Sequence, residues 1–262
     1  MKDTEKQLVI VFPSYVGKPE AVQLSLTFTR TLVEMYPDAI VVPAINGGSD
    51  DVMGDVYRQM SGISDDNKVR SVISTPGNHA GAGVVVALLN AYEYIMGWRL
   101  QDYVVVRLDD KEHPVEWVER LAIKAEEIGG VAIGDLDFAG THMLMEDSVD
   151  EFIHTRIFPE MYGAASDGAF RVSCAHGYNA YSGEHFAAIV REAERVVDSA
   201  EDILGEPPAW GIDGAMALSA AKLGFNVEII PIPAMTPRNR TNDKIVSQFR
   251  MNLAMCLAAQ RS

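Results

Sequence analysis

The amino-acid sequence predicts an α/β fold in which helices cover both faces of a mostly parallel central sheet. Short apolar runs rich in β-branched residues recur along the chain, and segments with helical periodicity lie between them. The apolar runs are unbroken rather than alternating, which is typical of strands buried on both faces. Because strands and helices alternate, the sequence favours a doubly wound arrangement. The predicted strands lie at residues 8–12, 39–43, 69–73, 103–106, 131–133 and 227–230.

Six segments carry the apolar spacing of amphipathic helices. The first begins at Pro19, a residue that suits the first helical turn. Ser49, Asp50 and Asp51 suit the N-cap of a further helix. The six predicted helices cover residues 19–36, 83–97, 114–128, 183–204, 212–223 and 243–259. Residues 134–182 are rich in Gly, Asp, His and aromatic residues but have weak periodicity, so no element is predicted there.

The chain of 262 residues is long enough for one large domain, and it contains no internal repeat and no low-complexity linker. We therefore expect a single domain made of two halves. The first half covers about residues 7–133 and the second about residues 134–240, and a C-terminal helix follows at 243–262.

The net charge of the chain is −15. Proteins that bind nucleic acid or anionic lipid concentrate positive charge, so this acidity argues against both partners. The sequence shows no stretch of about 18 apolar residues that is free of charges, and no apolar core followed by a cleavage site near the N-terminus. Its two cysteines, Cys174 and Cys256, provide no disulfide framework. We expect a cytoplasmic protein without a membrane span.

One apolar strand runs through Arg107 directly into two adjacent carboxylates, Asp109 and Asp110. In open α/β sheets, ligands bind at the carboxyl ends of the parallel strands. Mg²⁺ and Mn²⁺ prefer oxygen ligands and commonly bridge to substrate phosphates, so the pair is a candidate metal site. A solvated acidic loop before the helix that begins near Pro114 is the alternative. Arg107 would either pair with an acid or reach a phosphate, and the sequence leaves these choices open.

Several segments taken in order resemble the GT-A glycosyltransferases, especially those similar to dolichol-phosphate mannose synthase and to glucosyl-phosphoglycerate or mannosylglycerate synthases. Leu108-Asp109-Asp110 stands where this family has its Asp-x-Asp metal motif. The other segments are Phe-Pro-Ser-Tyr at 12–15, Asn-Gly-Gly-Ser-Asp-Asp at 46–51, Gly-Asn-His-Ala-Gly-Ala-Gly at 77–83, Trp-Gly-Ile-Asp at 210–213 and a closing strand at 224–232. The resemblance covers about residues 7–235 and implies a Rossmann-like GT-A fold.

The resemblance implies a glycosyltransferase that takes a sugar from a UDP- or GDP-linked donor, with Mg²⁺ or Mn²⁺ held by Asp109 and Asp110. The first half of the chain would bind the nucleotide-sugar and the second half the acceptor. Asn46 stands where the family has a base-contacting Asp, although an ordinary turn asparagine would look the same. The implied nucleotide-sugar contacts are Pro13, Ser14, Tyr15, Asn46, Asn78, Gly81, Arg107, Asp109, Trp210, Arg238 and Arg240.

Asp213 is the candidate catalytic base under the same resemblance, because an inverting transfer needs a carboxylate that deprotonates the acceptor hydroxyl. Its alternative role is to cap the helix that follows it. In a retaining transfer no such base is required, and Asp213 would bind the sugar or the acceptor. His176, Tyr178 and Asn179 resemble part of the family's acceptor wall and are candidate sugar contacts, with burial in the core as the alternative.

The chain departs from the family pattern in its metal motif, which reads Leu-Asp-Asp, and at Asn46-Gly47, which replaces two acids. Its Gly-rich segment also lacks the Lys or Arg that is common in the family. A nucleotidyltransferase that makes a nucleotide-sugar, and a non-catalytic protein that binds one, therefore stay as alternatives. Arg238 and Arg240 lie on a polar loop of an acidic chain and would hold the diphosphate or an anionic acceptor. We expect a small polar acceptor. The last helix would either cover the domain or form a homodimer contact.

Overall fold

The computed structural model describes residues 6–64, 66–74, 80–109, 114–137, 177–208, 211–233 and 242–261. In these ranges every predicted strand and helix is present, although the strand predicted at 69–73 is shortened. The strands are β1 (Gln7–Tyr15), β2 (Ile40–Asn46), β3 (Val72–Ile73), β4 (Tyr103–Arg107), β5 (Val131–Asp137), β6 (Asn179–Ser182) and β7 (Val227–Pro233). The helices are α1 (Pro19–Met35), α2 (Asp50–Ser61), α3 (Ala80–Met96), α4 (Val118–Ile128), α5 (Gly183–Leu204), α6 (Ile212–Lys222) and α7 (Asn242–Arg261).

Within the described residues the strands form one sheet in the order β3-β2-β1-β4-β6-β5-β7. β1 pairs in parallel with β2 and β4, and β5 pairs in parallel with β7. β6 alone among these strands runs antiparallel to both of its neighbours, β4 and β5. The prediction of a mostly parallel sheet is therefore confirmed. β6 has four residues inside a segment of weak periodicity, which is too short a pattern to predict from the sequence.

Two apolar cores on opposite faces of the sheet explain the unbroken apolar runs of the strands. One core joins Val9, Val11 and Val105 to residues of α3, α5, α6 and α7. The other joins Ile10 and Phe12 to residues of α1 and α4. Because successive side chains of a strand point to opposite faces, the apolar residues at 9–12 of β1 meet the two cores in turn. Helices therefore cover both faces, as the sequence predicts.

The C-terminal helix closes the first of these cores. α7 packs against α5 and α6 and contributes Met255, Cys256 and Ala259, all buried, to the apolar cluster. Its described side chains thus cover the domain, which is one of the two roles expected from the sequence. No helix in the described part of the chain is both long enough and apolar enough to span a bilayer.

The carboxyl ends of the parallel strands lie along one edge of the sheet, and β6 begins at that edge because it runs in the opposite direction. Tyr15 of β1 pairs in register with Asn46 of β2, and Arg107 of β4 pairs with Asn179 of β6. α2 also begins at this edge, where the Ser49 side chain accepts a hydrogen bond of 3.4 Å from the backbone of its first turn. This is the edge where open α/β sheets bind their ligands.

Candidate active site

Arg107 is the last residue of β4, and it interrupts an apolar strand with a buried charge. Only 2% of its side chain is exposed. The preceding valines of β4 are buried in the two cores, and strand alternation places Arg107 on the same face as Val105. That face carries α3 and α6. An arginine is costly at such a position unless oxygen atoms of the protein replace its hydration.

Two carboxylates and two carbonyl groups supply those oxygen atoms. Nη2 of Arg107 lies 2.8 Å from Asp109 Oδ1 and 3.2 Å from Asp213 Oδ2. Nη1 donates to the backbone carbonyl of Leu108 and, at 3.3 Å, to the carbonyl of Gly177. One guanidinium therefore joins the end of β4, the residues that enter β6 and the first turn of α6.

The charges of this cluster keep Arg107 ionised. Burial by itself lowers the pKa of Arg107, because the charged guanidinium loses its hydration in the core. The carboxylates of Asp109 and Asp213 outweigh that cost and hold the pKa of Arg107 above its ordinary value. Among the described residues of this cluster, one guanidinium faces two carboxylates, which is an excess of one negative charge. Such an excess suits a cation.

Gly177 makes the close contact between the guanidinium and the second acid possible. Its φ angle is +77°, in the left-handed region that glycine adopts without strain. A β-carbon at Gly177 would lie 2.7 Å from Arg107 Nη2 and 2.9 Å from Asp213 Oδ2. Both the backbone conformation and the lack of space therefore require glycine here.

Asp213 lies in the first turn of α6 and is 7% exposed. The N-cap position of α6 is Gly211, so Asp213 is the second residue of the helix and not its N-cap. The capping role considered for Asp213 from the sequence is therefore not the one that the structure shows. Its carboxylate is instead turned toward Arg107. The helix N-terminus adds partial positive charge that further stabilises the ionised acid.

Fully buried polar side chains line the interior next to Arg107. Asn179 Nδ2 donates to the hydroxyl oxygen of Tyr181 at 3.3 Å, and both side chains lie on the same face of the sheet as Arg107. Burial raises the pKa of Tyr92 on α3 well above its usual range, and the proximity of Tyr181 and Asp213 raises it further. These hydroxyls therefore stay protonated and act as neutral dipoles in the floor of the site.

The first strand end presents an aromatic ring flanked by glycines. A β-carbon at either Gly17 or Gly47 would collide with the ring of Tyr15. Gly47 also has a φ of +81°, and its neighbour Asn46 accepts a backbone hydrogen bond from Val16 at 2.8 Å. The Tyr15 ring therefore lies across the turns that follow β1 and β2. It packs against the backbone of Gly17 and Gly47, which have no side chains.

Asn46 ends β2 with a buried amide, only 1% of the residue being exposed. Its Nδ2 donates to the carbonyl of Ala44 at 3.2 Å, and Oδ1 is the acceptor atom of the same buried amide. Oδ1 has no hydrogen-bond partner among the described residues and lies close to the first turn of α3, where a β-carbon at Gly83 would be 3.7 Å away. Ser14 and Pro13 are buried within β1 beside it.

Of the remaining predicted site residues, the structure describes three, and six lie outside the described ranges. Gly81 lies in the first turn of α3, at the same sheet edge. Tyr178 and Asn179 are both fully buried, which is the alternative that the sequence left open. Tyr178 points to the opposite face of the sheet, and its hydroxyl donates to the Pro114 carbonyl at 2.5 Å. The others lie outside the described residues: Asn78, Asp110, His176, Trp210, Arg238 and Arg240.

The described residues fit a divalent cation in part. No cluster of three or more His, Cys, Asp or Glu side chains that could hold a metal occurs among them. Asp109, however, is 29% exposed at the strand end, while Arg107 fixes one of its oxygens. Mg²⁺ and Mn²⁺ bound with a substrate diphosphate need only one or two protein carboxylates, because phosphate oxygens and water complete the shell. The donor chemistry and the surplus negative charge therefore fit such an ion.

Sequence reasoning did not single out the buried partners Tyr92 and Tyr181. Tyr92 looks like any core aromatic of an amphipathic helix, and no local pattern shows that it faces a charge. Asn179 and Tyr181 alternate within β6, which could have indicated a shared face if β6 had been recognised.

No protein-family model matches this chain, and no curated protein matches its sequence. Among solved structures, the chain is similar to glucosyl-3-phosphoglycerate synthase from Mycobacterium tuberculosis in complex with Mn²⁺, UDP and glucosyl-3-phosphoglycerate. The identity is 15%, the match covers 97% of this chain and 80% of that chain, and the TM-score is 0.57.

Two further structures match at similar length. One is the same synthase with Mn²⁺, UDP-glucose and glycerol 3-phosphate, at 16% identity, 97% and 80% coverage and a TM-score of 0.55. The other is described as a mycobacterial protein, at 14% identity, 96% and 74% coverage and a TM-score of 0.55. At these identities the likeness establishes the fold, and it confirms the predicted GT-A arrangement of the chain.

Proposed function

We propose that this protein is a metal-dependent glycosyltransferase that moves a sugar from a nucleotide-diphosphate sugar to a small polar acceptor. Two independent facts support the proposal. The chain has the GT-A fold, and solved structures similar to it contain Mn²⁺ with UDP or UDP-glucose. The edge of its sheet where donors bind in open α/β folds carries an acid cluster and a buried amide.

The observation that carries the proposal is the meeting of two acids from the two halves of the chain. Asp109 follows β4 in the first half, and Asp213 opens α6 in the second half, yet both contact the same nitrogen of Arg107. An inverting transfer needs a donor-side acid that holds the metal and an acceptor-side acid that acts as the base, both at one place. A surface acidic loop, the alternative for Asp109, would not bring Asp213 to it.

On the donor side, Tyr15 and Asn46 would receive the nucleoside. The Tyr15 ring offers a stacking surface, and Asn46 Oδ1 offers a buried acceptor for an N–H of the base. Asp109, with the predicted ligand Asp110, would hold Mg²⁺ or Mn²⁺, which when bound neutralises charge on the leaving diphosphate. We propose a UDP-linked donor first, because the similar structures contain UDP.

On the acceptor side, Asp213 would contact the attacking hydroxyl. In an inverting transfer its carboxylate would accept the hydroxyl proton as the new glycosidic bond forms. In a retaining transfer it would accept a hydrogen bond from the sugar or acceptor without taking the proton. In either case the ion pair with Arg107 would fix the orientation of the Asp213 carboxylate. Arg238 and Arg240 stay as predicted contacts to the diphosphate or to an anionic acceptor.

Calorimetric titration of the full chain with UDP, in the presence and absence of Mn²⁺, tests the donor site. We expect Mn²⁺ to strengthen UDP binding, and Asp109→Asn to lose about 10- to 100-fold in the affinity measured with Mn²⁺. The matched control is Asp102→Asn, since Asp102 lies at the opposite end of β4 and is half exposed. Asp110→Ala tests the second predicted ligand. Equal binding by Asp109→Asn and the wild type would remove Asp109 from the site.

Release of sugar from UDP-glucose, with and without Mn²⁺, separates an enzyme from a binding protein. We expect turnover that requires Mn²⁺, and a loss of about 10²- to 10⁴-fold in kcat for Asp213→Asn if this carboxylate acts as the base. UDP binding by that variant should persist. Tight UDP binding with no turnover at all would favour the non-catalytic alternative.

A further inference from the structure

We propose that Arg107 is a positioning residue that sets the donor-side acid Asp109 against the acceptor-side acid Asp213. This inference rests on the proposed function of the site. Arg107 is too deeply buried to touch a substrate, so its effect must pass through the residues that it contacts. Its role is to fix where Asp109 lies relative to α6, and thereby to shape the place where the cation and diphosphate bind.

The contacts of Arg107 support a positioning role because they come from separate parts of the fold. The guanidinium is a rigid planar fork, so its contacts to Asp109, to Asp213 and to the carbonyl of Gly177 are fixed relative to one another. Residues 107–109, the entry to β6 and the start of α6 are thus held in one geometry. A lysine has a single ammonium group and cannot reproduce that fork.

The different exposure of the two acids separates a structural role from a positioning role. The Asp213 side chain is 9% exposed and needs a counter-charge merely to be buried. The Asp109 side chain is 29% exposed, so water already solvates it and burial does not demand its pairing. If Arg107 served only to stabilise the fold, its contact with the buried Asp213 would be sufficient. The shorter contact, 2.8 Å, is nevertheless made to Asp109, which is the acid at the proposed metal position.

The test compares Arg107→Met with the double variant Arg107→Met/Asp213→Asn. The single variant removes the Arg107 charge beside the buried Asp213 carboxylate, so its melting temperature should fall. The double variant removes both charges of the buried pair, so the melting temperature should rise again relative to the single variant. Calorimetry with UDP and Mn²⁺ is the second readout. Arg107→Lys keeps the charge and tests whether the planar guanidinium is needed. Arg58→Met, which removes an exposed arginine of α2 paired with Asp55, is the matched control.

A positioning role predicts that the double variant regains melting temperature without regaining its affinity for UDP. In the double variant, UDP affinity with Mn²⁺ should stay reduced by about 10- to 100-fold although the melting temperature rises again, because the contact of Asp109 with Arg107 is still missing. Asp213→Asn alone keeps that contact and should bind within about threefold of the wild type. Recovery of binding in the double variant would overturn the proposal. An equal loss in Asp213→Asn would also overturn it, because the acid rather than the arginine would then explain the effect.

A ligand-free measurement distinguishes failure of this inference from failure of the proposed function. If the wild type binds neither UDP nor Mn²⁺, the proposed function is wrong, and hydrogen exchange then tests Arg107 alone. The backbone of Leu108 donates to Val11 at 2.8 Å, next to the anchored acid. Peptides that contain residues 103–109 should exchange about tenfold faster in the double variant than in Asp213→Asn. Equal exchange in these two variants would overturn the positioning role.

Discussion

At the scale of single residues, the site depends on an arginine that stands where the apolar pattern of β4 predicts another core residue. The sequence marks Arg107, Asp109 and Asp213 separately, each by its place after a strand or before a helix. Their contact could not be predicted, because about a hundred residues separate the two acids. The direction of the Arg107 side chain also depends on which helices cover that face. Only the folded chain shows one guanidinium between both carboxylates.

Gly177→Ala should destabilise the protein more than Gly205→Ala. Both glycines have left-handed φ angles, +77° and +73°, so alanine costs about 1–2 kcal/mol of backbone strain at either position. Only at Gly177 would the new methyl group meet Arg107 and Asp213, while nothing lies within 4 Å of a β-carbon at Gly205. We expect a further loss of about 1–3 kcal/mol from this overpacking.

Urea unfolding of the two glycine variants measures the difference directly. Gly205 is the C-cap of α5 and shares the conformation of Gly177 without its neighbours, so the comparison isolates the contact with the ion cluster. Equal destabilisation of both variants would show that the space around Gly177 is not tight. UDP binding by the folded fraction of Gly177→Ala should also weaken, because the Arg107 fork is displaced.

At the scale of elements, local patterns identified the helices well and missed one strand. The helix predicted at 183–204 has the same bounds as α5, because a long amphipathic period and a terminal glycine define it within the local sequence. β6 was missed because its stability comes from pairing with β4 and β5 rather than from its own pattern. Its antiparallel direction brings Gly177 and Asn179 to the site.

The pairing of α5 with α6 should make stability depend on pH through Glu192. Glu192 is buried, and its carboxylate contacts Lys222 at 2.5 Å and Arg195 at 3.0 Å. Burial opposes ionisation, but Lys222 and then Arg195 lower the pKa of Glu192 overall. A lowered pKa gives stability that is fully present above the unfolded value and is lost as the pH falls through the folded pKa. Glu192→Gln should therefore cost about 1–3 kcal/mol at neutral pH.

The loss in the free energy of unfolding caused by Glu192→Gln should become smaller as the pH falls below about 4.5, the ordinary pKa of a glutamate side chain. Glu194, two residues along the same helix, is the matched control. Burial, with Glu93 and Asp198 nearby, raises the pKa of Glu194, so its ionised form disfavours folding. Glu194→Gln should therefore gain stability at neutral pH. Urea unfolding between about pH 3 and pH 7 checks both signs. A stability loss in Glu192→Gln that stays the same over that whole range would contradict the assignment.

At the scale of the whole molecule, the two cores hold the sheet edge in place, and the last helix seals one of them. Cys256 of α7 lies in that core and is 5% exposed. Burial raises the pKa of its thiol, so little thiolate forms near neutral pH and no reagent reaches it in the native state. The thiol therefore reports on whether α7 stays packed.

Labelling of Cys256 by a disulfide reagent should require opening of the core. In a Cys174→Ser background we expect slow reaction at pH 8, with a rate that rises in urea in step with the unfolded fraction measured by circular dichroism. Cys256→Ser, which leaves Cys174 as the only thiol, is the control for reaction elsewhere. Fast labelling of the native Cys174→Ser protein would mean that α7 detaches locally while the rest of the fold persists.

By itself the sequence determined the α/β class, the covered sheet, and the candidate acids at the strand ends. These features follow from local periodicity and from the rule that ligands meet the carboxyl ends of parallel strands. The tertiary structure decided that Asp109 and Asp213 share one buried arginine, that Tyr178 faces away from them and that Asp213 is not the N-cap of its helix. Those outcomes depend on packing between segments far apart in the chain, and no local pattern encodes them.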